Sequence, residues 1–142
     1  MPEMRRLANV ALVISMVLIG CGKSKGPPTA VVSGKVSLDG APLEKGVINF
    51  VPTDGKGTTE GGKIVKGAYS VTVGLGDKRV EIRSPKVVGQ RDAYPGDPNS
   101  PKMDITEEVV PSRYNSRSEL KVPVTGRKAE DFKLKTPKDQ SN

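Results

Sequence analysis

Val31-Val32-Ser33-Gly34-Lys35-Val36-Ser37-Leu38-Asp39-Gly40 is the stretch that decides the fold. Successive side chains of an extended chain point to opposite faces, so Val32, Val36 and Leu38 share one apolar face, with Gly34 interrupting the series. Asp39-Gly40 is a strong turn dipeptide and ends the run. The same grammar repeats downstream. Val47-Ile48-Asn49-Phe50-Val51 is closed by Pro52, and Thr58 to Val65 reads as a weak third strand before the turn Lys66-Gly67. Tyr69, Val71 and Val73 alternate through the fourth run, and Val80 and Ile82 through the fifth, which Pro85 stops.

Five short strands separated by Gly- and Asp-rich turns, with no sustained helical period, predict an all-β chain folded as an antiparallel sandwich or barrel. Residues 86–118 break the rhythm with Pro95, Pro98, Pro101 and Pro111, so a long loop is expected there, before the last two strands. Those strands are Glu119 to Val124, where Pro123 marks a sheet edge, and Asp131 to Lys135. Residues 137–142 form a polar tail. The expected core is Val32, Val36, Leu38, Ile48, Phe50, Tyr69, Val71, Val73, Val80, Ile82, Leu120, Val122, Phe132 and Leu134.

Val32-Ser33-Gly34-Lys35-Val36, then Leu38-Asp39-Gly40-Ala41-Pro42-Leu43, then Val47-Ile48-Asn49-Phe50-Val51-Pro52, resembles the opening of carboxypeptidase regulatory-like domains. Gly67-Ala68-Tyr69-Ser70-Val71 is similar to their G-x-Y-x-V strand. Pro111-Ser112-Arg113-Tyr114-Asn115-Ser116, followed by Leu120, resembles a segment of small lipoproteins from planctomycete-type bacteria. The resemblance covers residues 30–136. It implies a seven-stranded Greek-key sandwich of transthyretin type, mostly non-catalytic and often attached to secreted or surface proteins. The acidic turn that commonly precedes the G-x-Y strand is absent from Gly62-Lys63-Ile64-Val65-Lys66-Gly67, which removes the cation site that turn would offer.

The first twenty residues are of another kind. Thirteen are apolar, and Arg5 and Arg6 precede the run Leu7 to Ile19. That run falls short of the ~20 apolar residues a spanning helix needs, and a positive start followed by a short apolar stretch marks an export signal. Leu18-Ile19-Gly20-Cys21 resembles a bacterial lipobox. The resemblance implies cleavage between Gly20 and Cys21 and a diacylglycerol on the Cys21 thiol. The alternative is an ordinary signal peptide or membrane anchor with an incidental cysteine. Residues 21–29, small and Pro-containing, are then a lipidated terminus and flexible tether. The expected location is the cell envelope; by resemblance to enterobacterial sorting signals, Gly22 in place of Asp implies the outer membrane facing the periplasm or the cell surface.

The remaining composition excludes more than it suggests. The chain of 142 residues has no histidine and one cysteine, so it can form no Ser-His-Asp triad, Cys-His dyad, His-ligated zinc site or intrachain disulfide. Hydroxyisourate hydrolases, the enzymatic branch of transthyretin-like sandwiches, depend on histidines. Gly57 to Lys63 fits a phosphate-loop spacing, but Ile64 stands where Ser or Thr should hold magnesium, and a strand follows where a helix is needed. Ser118-Glu119-Leu120-Lys121 matches S-x-x-K without its companion motifs. Asp92, Asp97, Asp104, Glu107 and Glu108 are oxygen-rich loop residues with no calcium-loop spacing and with Arg91, Lys102 and Arg113 among them. The expectation is therefore no enzyme, no cofactor and no metal. The net charge of +7 alternates along strands without stacking aromatics, which argues against nucleic acid. The candidate contact surface is the segment 86–118, with Tyr94, Tyr114 and Arg113. Two tyrosines there could meet a glycan or peptide; alternatively Tyr114 covers the end of the core and Tyr94 is a surface residue. The expected function is a non-enzymatic, lipid-anchored binding or structural module that meets an envelope protein or a polysaccharide, with a carbohydrate-binding module as the alternative.

Overall fold

The computed structural model describes residues 26–138. The export signal, the Gly20–Cys21 cleavage site and most of the tether lie outside them.

The chain is all-β. Its strands are β1 (Thr29–Leu38), β2 (Ala41–Pro42), β3 (Lys45–Pro52), β4 (Glu60–Val65), β5 (Ala68–Gly74), β6 (Gly76–Arg83), β7 (Pro85–Asp92), β8 (Lys102–Glu108), β9 (Lys121–Val124), β10 (Lys128–Ala129) and β11 (Phe132–Leu134). One 3₁₀ turn, Ser112–Tyr114, is the only helical element among the described residues. The main sheet runs β10-β1-β5-β4-β3-β6-β9, with β2 and β11 also on β1. Two turns carry the β1–β2 and β4–β5 hairpins: Asp39-Gly40 and Lys66-Gly67 all take positive φ, the conformation of a two-residue hairpin loop.

The seven expected strands are all present, as β1, β3, β4, β5, β6, β9 and β11. Pro123 does lie at an edge, since β9 pairs only with β6. Two expectations fail. The pairing is not wholly antiparallel: β10 and β11 both run parallel to β1, one beside Val32–Ser33 and the other beside Val36–Leu38. Residues 86–118 are also not a long loop. Lys86 to Asp92 and Lys102 to Glu108 pair as an antiparallel ribbon, joined by residues 93–101. The prolines that suggested a loop sit in that connection or after β8, where no ladder hydrogen bond is needed.

The parallel return explains the glycine that interrupts β1. The chain between β10 and β11 crosses so close to Gly34 that an added Cβ would stand 1.8 Å from the Glu130 carbonyl oxygen. Only glycine fits. Glu130 N donates to Ser33 O at 2.9 Å, Tyr69 Oη donates to Glu130 O at 2.7 Å, and Lys35 N donates to Asp131 Oδ1 at 2.7 Å. Burial beside Glu130 and Asp131 pushes the Tyr69 phenol well above its ordinary range.

The inner residues of the strands form one core. Phe50, Tyr69 and Phe132 make an aromatic row with centroids 6.2 and 6.1 Å apart. Twelve of the fourteen expected core residues are buried; Leu38 and Leu120 are half-buried against the others. The core also takes Leu43, Ile64, Val110 and Val124. Ile64 is the inward residue of the glycine-rich β4, and Val110 comes from the segment expected to be a loop. At the far end of β3, Lys78 is only 4 % exposed, with its Nζ 3.6 Å from Glu60 Oε2.

Candidate functional site

The β7–β8 ribbon is the feature of the fold that its core does not require. Every residue of β8 and nearly every residue of β7 is exposed. A lone two-stranded hairpin is marginal in water, so its orientation has to be set at its root. Glu108 sets it. Its Oε1 accepts from Ser84 N at 2.7 Å and from Val110 N at 3.0 Å, tying the start of β7 to the end of β8. Val109 N donates to Ser84 O at 3.2 Å, and Ser84 Oγ donates to Lys45 O on β3 at 2.5 Å. Behind this clamp, Asn115 Nδ2 donates to Val110 O at 2.9 Å and Ser118 Oγ donates to Val80 O.

Apolar side chains are exposed at the root and on both faces of the ribbon. A groove of about 550 Å³ lies beside the root, lined by Leu38, Pro42, Leu43, Pro85, Val87 and Val109. On the other side of Pro85, a second hollow of about 460 Å³ is lined by Val47 and Val65 with Lys45, Lys63 and Lys66 around them. Val87, Val88, Met103 and Ile105 carry the apolar surface along the ribbon, each between 41 % and 54 % exposed. Val87 pairs with Thr106 and Ile105 with Gly89, so Val87 lies on one face of the ribbon and Met103 and Ile105 on the other.

The structure separates the expected contact residues. Tyr94, 65 % exposed, sits at the tip of the ribbon, where its N donates to Ser100 Oγ at 2.8 Å. Tyr114 lies beyond the root, packed against the core, so about 23 Å of strand stands between them, taking seven residues at ~3.3 Å each. Tyr114 Oη accepts from Lys135 N at 3.2 Å. Arg113 stacks over the Tyr114 ring, 4.9 Å from its centroid, and donates through Nη2 to Lys135 O. Arg113 and Tyr114 thus hold the chain after β11, and the two tyrosines form no joint platform.

The motif matches resolve into ordinary structure. Ser118 is buried and its hydroxyl is committed to Val80 O, while Lys121 lies exposed on β9. Gly57 to Thr59 is an exposed connection, and Glu60 to Lys63 belongs to β4, paired with β3. Asp92 pairs with Lys102 at 2.5 Å, Asp97 Oδ1 accepts from Asn99 N at 2.8 Å, Asp104 Oδ1 accepts from Gln90 Nε2 at 2.8 Å, and Glu107 faces Lys86 across the ladder. Among the described residues no three acidic, His or Cys side chains gather in a group that could hold a metal ion.

Sequence reasoning missed Val87, Val88, Met103, Ile105 and Glu108 as a working unit. A signal was present, since Met103 and Ile105 alternate with Lys102, Asp104 and Thr106 at strand period. The surrounding prolines masked it. Compared with family models, with curated proteins and with solved structures, the chain matches none.

Proposed function

We propose that this chain is a non-enzymatic, lipid-anchored protein of the cell envelope, whose domain of residues 30–136 is a Greek-key β-sandwich of transthyretin type serving as a binding or structural module. The single observation that carries the module reading is the exposed apolar ribbon clamped rigidly at its root by Glu108. A fold gains nothing in stability from Val87, Val88, Met103 and Ile105 in water; a contact with another macromolecule does. The lipobox resemblance of Leu18-Ile19-Gly20-Cys21 supports the anchor, and the absence of histidine from the sequence argues against the hydrolases of the transthyretin type.

An envelope protein suits the ribbon better than a polysaccharide. Glycan sites rely on aromatic platforms, and with Tyr114 held against the core only Tyr94 is free to serve as one. Two measurements test the reading. Radioactive palmitate should label the chain in its bacterial host and fail to label Cys21→Ala; equal labelling overturns the anchor. Photo-crosslinkers at Val87 and Met103 should capture protein in intact envelopes, and a chain that captures none but retains a glycan on an array overturns the protein-contact reading.

A further inference from the structure

Among the described residues, β7 and β8 pair only with each other, so each has one outer edge of unpaired N–H and C=O groups. Such edges template further pairing unless they are blunted, and natural sheets blunt them with proline, bulges or short length. The end strands of the main sheet follow that rule. Strands β2, β9, β10 and β11 are two to four residues long, and β9 carries Pro123. Strand β7 begins with Pro85 and is broken by a register shift between Val87 and Gly89. Strand β8 is the exception: Lys102-Met103-Asp104-Ile105-Thr106-Glu107-Glu108 is seven residues long, free of Pro, Gly and bulge, and exposed throughout.

The sequence of that edge is complementary to itself. A two-fold axis normal to the ribbon keeps each face on its own side, so only registers that pair residues of the same parity are open. Centred on Ile105, antiparallel pairing sets Ile105 opposite Ile105 of the second copy, Asp104 opposite Thr106, Met103 opposite Glu107, and Lys102 opposite Glu108, each twice by symmetry. The neighbouring registers put like charges face to face: Asp104 on Asp104 in one, Asp104 on Glu108 in the other. Directly opposite like charges destabilise a sheet. Registers displaced further lose much of the overlap.

We infer that β8 is a homodimer edge: two copies join their ribbons about a two-fold axis at Ile105 into a four-stranded sheet β7-β8-β8-β7. Ile105, 41 % exposed in the single chain, then meets its symmetry mate, and Met103, 47 % exposed, lies on the same face of that sheet two residues along each strand. This names the partner of the surface described above as a second copy of this chain. It rests on the ribbon part of the proposed function and is independent of the lipid anchor.

Cysteine cross-linking in the full chain, in its native membrane, tests it. Residues directly opposite in an antiparallel pair lie about 4.5–5.5 Å apart at Cα, inside the roughly 4.4–6.8 Å a disulfide spans. Mild oxidation should therefore convert Ile105→Cys to a dimer whose 105–105 linkage is located by peptide mass spectrometry, which separates it from any linkage through Cys21. Asp104→Cys, whose symmetry mate would be ~8 Å away across the offset strands, should give at most a tenth as much. Adding Thr106→Asp, which sets a carboxylate against Asp104 of the second copy and faces only Val87 within its own ribbon, should cut the 105–105 yield at least fivefold. Both cysteine sites are exposed, and an unchanged far-ultraviolet circular dichroism spectrum confirms that the variants fold. Equal cross-linking at 104 and 105, or none at 105, overturns the inference. Capture of a different protein by the ribbon, without the 105–105 linkage, overturns it too and leaves the proposed function standing.

Discussion

The carbonyl of Glu130 occupies the space that a side chain on Gly34 would need. A Cβ at Gly34 would stand 1.8 Å from that oxygen and 2.6 Å from its carbon. Backbone, unlike the end of a flexible side chain, cannot step aside, so Gly34→Ala must push the β10–β11 crossing off β1. Overpacking of this kind costs about 3 kcal/mol, and urea unfolding should show that loss. The control is Gly40→Ala, at φ +84 with open space around it, where only backbone strain of ~1–2 kcal/mol is expected.

Removing the Glu108 carboxylate leaves two amides, of Ser84 and Val110, without their acceptor at buried positions. Each unsatisfied buried group costs roughly 1–3 kcal/mol. Glu108→Ala should therefore lower stability by about 2 kcal/mol and speed amide exchange at Ser84 and Val110 selectively. Glu108→Gln, which keeps an acceptor oxygen, should recover most of the protection. Equal exchange in both variants would remove the clamp from the account of the ribbon.

The Asp39 carboxylate accepts from Thr136 N at 2.9 Å and Thr136 Oγ1 at 2.8 Å, and these hydrogen bonds, the backbone one foremost, hold its pKa below the ordinary 3.8. A depressed carboxyl contributes stability above its unfolded value and loses it as pH falls through the folded one. The protection factor of the Thr136 amide should therefore be flat from neutrality to about pH 4 and fall below 3.8. Asp39→Asn keeps an acceptor and tolerates the positive φ, so its protection should lose that acid dependence. An identical acid profile in both chains contradicts the assignment.

Lys78 and Glu60 form a buried pair at an imperfect 3.6 Å, with Glu60 Oε2 lacking any hydrogen-bond donor. Breaking such a pair strands a charge, whereas replacing both partners by apolar groups is often neutral. Lys78→Met alone should lose about 2 kcal/mol, moderated because the Glu60 side chain keeps 24 % of its exposure. The double variant Lys78→Met with Glu60→Leu should return close to the parent in a thermal melt. A double variant as weak as the single one would show that the pair is net stabilising.

The core was legible because alternation survives wherever one face is buried and the other wet, as from Ile48 to Phe50 and from Tyr69 to Val73. Asp39-Gly40 was legible because a two-residue hairpin loop selects for positive φ. What escaped was non-local. Gly34 interrupts the pattern of β1 on account of a residue 96 positions later, Glu130, and nothing near Gly34 announces it. The ribbon escaped for the opposite reason: buried on neither face, it carries no strong alternation, and prolines just outside its strands made the whole segment look irregular. Of the expected contact residues, Tyr94 stands free at the ribbon tip, while Tyr114 and Arg113 were drawn into holding Lys135, a role set by the fold of the C-terminal chain.

Residues 88–107 extend beyond the groove at the root, and the clamp that orients them is built from residues at their borders, Ser84, Glu108 and Val110. On the proposed reading, recognition and foldedness are encoded in separate stretches of the gene. The ribbon can drift, or be exchanged as a cassette between Ser84 and Glu108, without the compensating core changes that would slow a surface built into the sheet. A lineage carrying this scaffold can acquire a new partner by rewriting about two dozen contiguous codons.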